Sequence, residues 1–318
     1  MFILTKKGAL KMLYINGKDF KLDNTCVAFG QFDGLHRGHR AVINMLKEQE
    51  HKNLISVVLS FDYNPTDIFG VKNVIYTEEE KYAMLNKNGP KVMISYPFTA
   101  EIAEMEPEAF VKDVLIDRLG AKVIVAGESC KFGKACSGNI ETLKKLSSKY
   151  GYEVISVETV KDEGQIITSE IIHKELEEGS LERANRLLGH VFTMTGEVAH
   201  GKALGRTVGM PTANLAVPGN KLIPKFGVYA TLSEIDQVNV QGLTNIGKRP
   251  SVDNYNYMTI ETFLLDFSKD IYGKKLTLEV HSFIRGTRKF NNLEEVKKQV
   301  EKDIQSIRDY LNSIQYSA

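Results

Sequence analysis

Residues Cys26 to Arg40 read CVAFGQFDGLHRGHR, and this stretch decides the fold of the first half of the chain. Cys26 to Phe29 are apolar, as in a buried strand, and Gly30, Gly34 and Gly38 then punctuate a turn. From Gly38 to Glu50 the apolar residues Ala41, Val42, Met45 and Leu46 share one face at helical spacing. Glycines let a backbone approach a ligand closely, and the free N–H groups of a helix start attract anions. His36 and His39, three apart, would sit one turn apart on the same face. Two imidazoles there can hydrogen-bond the phosphates of a nucleotide and stabilise charge building on a transferring phosphorus. A lone histidine would read as a polar cap on an exposed turn. The pair, with three glycines after a strand, favours a nucleotide site.

The same alternation continues outward. Strands are expected at Thr25–Phe29, Leu54–Phe61, Val92–Tyr96, Lys122–Ala126 and Glu153–Val157. Helices are expected at Gly38–Glu50, Glu78–Leu85 and Pro107–Leu119, the last with Phe110, Val114 and Leu115 facing together. Strands alternating with helices imply a doubly wound α/β domain with a parallel sheet. After a charged helical segment, Ser169–Leu188, the pattern changes near Gly189 and His190. Short runs follow (TGEVAHG, GVYATL, VQGLTNIG, MTIETFLLDF, KLTLEVHSFI), separated by glycine and proline, as in a β-barrel. A terminal helix over Asn292–Ile314 carries Val296, Val300, Ile304, Ile307 and Leu311 on one stripe. The expected division is residues 1–187, then 188–318.

Composition bounds what these domains can do. The 318 residues, 42% of them hydrophobic, suffice for a core in each of two domains. Lys and Arg number 41 against 40 Asp and Glu, so no global field draws the chain to nucleic acid or an anionic membrane, and a phosphate-bearing ligand needs a local site. The three cysteines, Cys26, Cys130 and Cys136, form no CxxC pair, which argues against a disulfide framework or zinc finger. The first residues lack a signal-peptide apolar core, and no run approaches the roughly 18 apolar residues of a membrane helix. The expectation is a cytoplasmic protein with neither nucleic-acid nor membrane partners; its oligomeric state is not written in the sequence.

Thr195 to Pro218, TGEVAHGKALGRTVGMPTANLAVP, is the densest motif. Gly201, Gly205 and Gly209 recur every fourth residue with Lys202 and Arg206 between them, and Pro211 leads into Thr212, Ala213 and Asn214. A glycine-rich loop with two basic residues can wrap a polyphosphate. Thr212 and Asn214, two apart and so on one face of an extended segment, offer hard oxygen ligands suited to Mg²⁺. A glycine-rich hairpin with no ligand is the alternative. No Gly-Lys pair is followed by Ser or Thr, so none of these is a Walker A loop.

Two strings carry a family resemblance that covers nearly the whole chain. Gly30 to His39 resembles the GxFDGxHxGH signature of the nucleotidyltransferase superfamily in the form found in bacterial FAD synthetases, and Gly201 to Asn214 is similar to the riboflavin kinase signature GxxxGRxxGxPTAN. The resemblance implies a nucleotidyltransferase-like FMN adenylyltransferase domain followed by a riboflavin kinase barrel, with riboflavin, FMN and ATP as ligands and Mg²⁺ as cofactor. In the first domain it assigns nucleotide binding to Phe32, Asp33, Gly34, His36, Gly38, His39 and Ser169. In the second it assigns the nucleotide to the loop from Gly201 to Asn214. It also makes Glu261, otherwise an outward-facing carboxylate, the general base toward the riboflavin 5′-hydroxyl. Arg285 and Arg288, after the last barrel strand, could act at the flavin or nucleotide side or be merely exposed charges.

The first domain departs from the family in three places. Asn64 replaces a histidine of the Pro-His-Pro-like turn. Ser129 and Cys130 stand where the Gly-Glu-Asp-Phe loop has an acid and an aromatic. In the Ile-Ser-Ser-Thr-x-Ile-Arg segment, aligned with Ile167 to His173, Glu170 replaces a hydroxyl and His173 an arginine. A carboxylate repels phosphate, and an imidazole is mostly neutral at pH 7 where an arginine is always charged. These changes cost several kcal/mol of phosphate stabilisation, roughly a thousandfold in rate. The expectation is a riboflavin kinase whose adenylyl transfer is weak or absent. The alternatives are a fully bifunctional FAD synthetase, with Lys131 or Lys134 replacing the arginine, or a flavin- or nucleotide-sensing regulator.

Overall fold

A computed structural model describes residues 12–62, 73–199, 211–250 and 256–315. The chain divides into two compact units, Met1–Ser169 and Glu170–Ala318.

The first unit is built on six parallel strands: β1 (Leu13–Asn16), β2 (Thr25–Gly30), β3 (Ile55–Asp62), β4 (Val92–Pro97), β5 (Ala121–Gly127) and β6 (Glu153–Val157). Their order is β1-β4-β3-β2-β5-β6. From β2 the chain winds one way through β3 and β4, then returns past β2 to β5 and β6. The switch point therefore lies between β2 and β5, where ligands dock at the carboxyl ends of the strands. Helices α1 (Arg37–Glu48), α2 (Glu78–Asn88) and α3 (Ile140–Tyr150) are among the connections.

Side-chain alternation along β2 explains two buried faces. Val27 and Phe29 join a core with Val57, Ile94, Ile124, Phe110, Val114 and Leu143, whereas Cys26 and Ala28 join Val58, Met93, Val125, Ile43 and Leu46 on the other side. The helical stretch opening at Pro107 widens over Phe110–Ile116, where Asp117 N–H bonds to the Lys112 carbonyl five residues back.

The second unit opens with α4 (Ser169–Glu178) and α5 (Leu181–Leu188), so the expected single helix over Ser169–Leu188 is two. The break is at Gly179, whose φ of +84° is the left-handed conformation that ends a helix. The six strands β7 (Phe192–Ala199), β8 (Thr212–Ala216), β9 (Gly227–Ile235), β10 (Val238–Pro250), β11 (Asn256–Leu264) and β12 (Lys275–Gly286) form a closed barrel in the order β7-β8-β11-β10-β9-β12. Asn185 ties α5 to it, donating to the Val280 carbonyl at 3.2 Å and accepting from Phe192 N–H at 2.7 Å.

Inside the barrel, the buried Thr231, Thr244 and Thr262 link hydroxyl to hydroxyl at 2.8 and 2.9 Å, and Thr231 donates to the Gly242 carbonyl. Outside, helix α6 (Leu293–Gln315) lays Ile307 and Leu311 on Ala230, Leu232, Leu243 and Leu265. Among the described residues no helix is long and apolar enough to cross a membrane.

Candidate functional site

In the first unit, the turn after β2 is assembled from residues in unusual backbone conformations held by burial. Phe32 and Leu35 take φ of +52° and +44°, and both are almost fully buried. The Asp33 carboxylate, also buried, accepts from the N–H groups of Ile75 and Tyr76, each at 3.1 Å, and so ties the turn to the segment before α2. Ser169 donates to the Asp33 carbonyl at 2.9 Å. His36 is the N-cap of α1, its Nδ1 accepting from His39 N–H at 3.3 Å. A Cβ at Gly38 would stand 3.1 Å from the His36 ring, so this position has little space for a side chain.

The two imidazoles stack, with ring centroids 3.6 Å apart and planes 20° from parallel, and Phe32 meets His39 edge-on at 5.3 Å. Burial, then His36, then Lys81 hold the His39 imidazole well below its ordinary pKa, so the ring is neutral at physiological pH. Its Nδ1 is buried without a hydrogen-bond partner among the described residues. A buried ring nitrogen left over at a helix N-terminus is what a ligand would satisfy.

A second buried charge, unmarked by any motif, stands beside this turn. Lys81 donates to the Gln31 carbonyl and the Ser60 hydroxyl, each at 2.8 Å, and pairs with Glu78. Burial outweighs Lys81 and lifts the Glu78 carboxyl above the usual carboxylate range. The departures are less uniform. Asn64 lies outside the described residues. Ser129 is exposed, while burial pushes the Cys130 thiol up to about 11. Phe132 of the same loop packs on Phe29 with centroids 5.3 Å apart, and Lys134 pairs with Glu104 at 3.0 Å. Glu170 is exposed in the first turn of α4, and His173 follows on that helix.

In the second unit the glycine-rich loop residues Gly201, Lys202, Gly205, Arg206 and Gly209 lie outside the described residues. The strand it leads into is described. Strand register pairs Asn214 with Glu261, Glu261 with Asn245, and Thr212 with Phe263. Opposed residues of antiparallel strands share a face with Cβ atoms about 5 Å apart. Thr212, Asn214, Glu261 and Asn245 therefore face one way, while Ile260 and Thr262 point into the barrel, where both are buried. In the sequence Asn245 is one residue of the run VQGLTNIG; register is what attaches it to the group. Beside Thr212 and the exposed Pro211 a cavity of ≈ 210 Å³ is walled by Phe267, Ser268, Asp270 and Tyr272.

The donor set on this face suits a small hard cation: a hydroxyl and an amide oxygen two residues apart, and a carboxylate opposite the amide. Among the described residues no group of three His, Cys, Asp or Glu is placed to hold a metal ion.

Register extends the row further, from Asn245 to Val228 and from Val228 to Arg285. Arg285 is held by Asp303 of α6 through Nε at 3.0 Å and Nη2 at 2.7 Å. The Arg288 guanidinium is exposed and 5.5 Å from the Phe290 ring centroid. His281 is a buried barrel residue 3.4 Å from the Glu279 carboxylate.

Comparison with known proteins agrees with both halves. Residues 19–171 match the FAD synthetase family and residues 188–311 the riboflavin kinase family. The bifunctional riboflavin kinase/FMN adenylyltransferase of Listeria monocytogenes is 35% identical over 297 residues, 92% of this chain and 94% of that one. Its Escherichia coli K12 counterpart is 32% identical over 291 residues, 90% and 92% of the two chains. A crystal structure described as a macrolide-efflux protein from Streptococcus pneumoniae superposes with a TM-score of 0.84 at 29% identity, covering 93% of this chain and 99% of that one. Two family matches arranged in the order the two motifs predict, and relatives alike over nine tenths of their length, show that the chain belongs to the bifunctional riboflavin kinase/FMN adenylyltransferase family.

Proposed function

We propose that the chain phosphorylates riboflavin to FMN with ATP as donor on the face bearing Thr212, Asn214 and Glu261, and that its adenylylation of FMN to FAD is weak or absent. The observation that carries the kinase reading is the register setting Glu261 directly opposite Asn214, with Thr212 on the same face. Glu261 takes the proton of the riboflavin 5′-hydroxyl as that oxygen bonds to the γ-phosphorus; the bond from that phosphorus to the β–γ bridging oxygen breaks and ADP leaves. Thr212 and Asn214 would hold Mg²⁺, which when bound neutralises charge on the triphosphate. The loop from Gly201 to Gly209, with Lys202 and Arg206, would enclose the phosphates. Residues 188–318 are then the kinase domain and residues 1–187 the nucleotidyltransferase-like one, working on small molecules in the cytoplasm.

The reading of the first domain rests on residue chemistry. His36 and His39 remain at the start of α1 and support nucleotide binding. Glu170 and His173, by alignment with the triphosphate-holding segment, remove a hydroxyl and a permanent cation from it. Full bifunctionality is the second reading, favoured by the stacked histidine pair and by the names of the relatives. It needs a substitute cation; Lys131 and Lys134 of the motif loop are the candidates, and Lys134 already pairs with Glu104. The set of Thr212, Asn214 and Glu261 argues against a regulator without turnover.

One incubation separates these readings. Protein, riboflavin, ATP and Mg²⁺ are mixed and the flavins resolved by chromatography. FMN as the sole product supports the proposal, and rapid accumulation of FAD overturns its second half. Pyrophosphate release from FMN and ATP measures the adenylyl step directly.

A further inference from the structure

Asn245 stands beside the proposed base without a part in the phosphoryl step. Register places it directly opposite Glu261 on β10, and Asn214 flanks Glu261 from β8 on the other side. Facing side chains on neighbouring strands have Cβ atoms about 5 Å apart, so the amide is within reach of what Glu261 touches. The Asn245 side chain is half-buried and has no hydrogen-bond partner among the described residues. An amide carries two donors and an acceptor, and a bound ligand could use any of them.

The order of these side chains matches what the reaction needs. On the kinase reading Thr212 and Asn214 take the phosphoryl donor on β8, and Glu261 on β11 takes the proton of the attacking hydroxyl. Attacking and leaving oxygens lie roughly in line, so the acceptor's carbon chain leaves the reacting oxygen on the side away from the donor. That side is β10, where Asn245 stands at the level of Glu261. One strand further on the row is closed: Val228 is 3% exposed and packs in the apolar cluster that holds Ile307 and Leu311 of α6. The open direction runs along β10 instead. Gly247, two residues on and so on the same face, has no side chain there. Among the described residues, a Cβ built on it would meet only Asn245 Nδ2 at 3.9 Å and Thr287 Cγ2 at 4.0 Å within 4 Å. The amide therefore borders a gap next to Glu261. A neutral amide can hold a hydroxyl in that gap, whereas a second carboxylate would repel the charge on Glu261.

We infer that Asn245 is a specificity-determining residue of the kinase: its amide hydrogen-bonds the 4′-hydroxyl of riboflavin, on the carbon next to the one phosphorylated. The assignment rests on the riboflavin kinase reading. The acceptor class it names is an alcohol with a second hydroxyl beside the reacting one. Glu261 engages the hydroxyl that reacts, and Asn245 engages its neighbour.

The test measures kcat/KM of the full-length protein and its Asn245→Ala variant toward riboflavin, 4′-deoxyriboflavin and 2′-deoxyriboflavin at saturating ATP and Mg²⁺, with the phosphorylated flavins resolved by chromatography. Wild type should lose roughly tenfold to a hundredfold on 4′-deoxyriboflavin, as for a site left with an unpaired polar group. Asn245→Ala should lose a similar factor on riboflavin and nothing further on 4′-deoxyriboflavin, because the partner of that hydroxyl is already gone. Its ratio between riboflavin and 2′-deoxyriboflavin should fall by that same factor, since only the 4′ contact is missing from both. A variant that merely loosens β10 would instead lower all three acceptors alike and keep the wild-type preference at the 4′ position. Asn245→Val, which keeps a strand-favouring residue, makes the same test if the alanine variant does not fold. No discrimination at the 4′ position by wild type, or equal discrimination in wild type and variant, overturns the role of Asn245. A wild-type protein that phosphorylates none of the three flavins overturns the kinase reading beneath it, so the two failures are distinguishable.

Discussion

Replacing Lys81 with methionine tests whether buried charge holds the first unit's turn in place. All three Lys81 ammonium protons are spent, on the Gln31 carbonyl, the Ser60 hydroxyl and Glu78, and the side chain is 3% exposed. Methionine fills the space but strands the Glu78 carboxylate, whose side chain is 14% exposed and whose Oε2 already has no partner among the described residues. Breaking one side of a buried pair costs about 3–5 kcal/mol. Hydrogen exchange followed by mass spectrometry should show β2, β3 and α2 opening roughly a hundredfold to a few thousandfold faster. Barrel peptides serve as the internal reference. The pH dependence has a definite sign. Burial holds the Glu78 carboxyl above its unfolded value, so its contribution favours folding at acid pH and is lost as pH rises through the folded value. Lys81 opposes that rise, so Lys81→Met should enlarge the neutral-pH penalty and show a narrowing gap to wild type at acid pH, after correction for intrinsic exchange. Adding Glu78→Gln should recover much of the loss. Unchanged protection in Lys81→Met, or no recovery with Glu78→Gln, refutes the argument.

Glu261→Gln should lower the kcat for FMN formation by about 10²–10⁴ with little change in the riboflavin KM, and full turnover would remove Glu261 from the role of base. Thr244→Val takes the middle hydroxyl from the Thr231–Thr244–Thr262 chain, and chemical denaturation of the barrel should show a loss of about 1–3 kcal/mol; an unaltered midpoint would contradict it. Alkylation at pH 8 followed by peptide mapping should modify Cys136 first: it is exposed, whereas burial pushes the thiols of Cys26 and Cys130 up to about 11.

The legible part of the fold was the part whose pattern has one cause. β2 to β5 were visible because strands buried on both faces read as short Val- and Ile-rich runs, and β6, an edge strand with no fully buried residue, was visible by its Val and Ile content alone. β1 was not, since Leu13–Asn16 alternates half-buried and exposed residues as an edge strand does. The helix Ile140–Tyr150 hid for a related reason: Leu143 is its only fully buried residue, and LKKLSSKY reads as a solvated surface. Gly179 did carry a signal for the break between α4 and α5, but the charged helical pattern on either side concealed it. At the sites, single motifs were legible and their combination was not. Thr212 and Asn214 share a face by spacing alone, yet only strand register brings Glu261 and Asn245 to them. Lys81 sits in EEEKYAMLN, where any lysine passes for a surface charge.

The two sites use buried charge differently, and this bears on how binding and turnover can separate in one domain. In the first unit Asp33 and Lys81 are consumed in pinning backbone: one bonds the N–H groups of Ile75 and Tyr76, the other the carbonyl of Gln31. Neither charge depends on a nucleotide, so these two anchors of the turn and its stacked histidines do not rest on Glu170 or His173, although Ser169 of the same segment also donates to the Asp33 carbonyl. Substitutions at Glu170 and His173 fall outside that scaffold. Interactions that strengthen only as charge develops set kcat, whereas those equal in ground and transition states set affinity. On the proposed reading, with the turn intact and the triphosphate segment without its arginine, adenylyl transfer should fall by a larger factor than ATP affinity does. Equilibrium binding of ATP measured beside pyrophosphate release therefore decides more than either assay alone: joint loss would place the defect in the scaffold, and affinity kept without turnover would place it at Glu170 and His173.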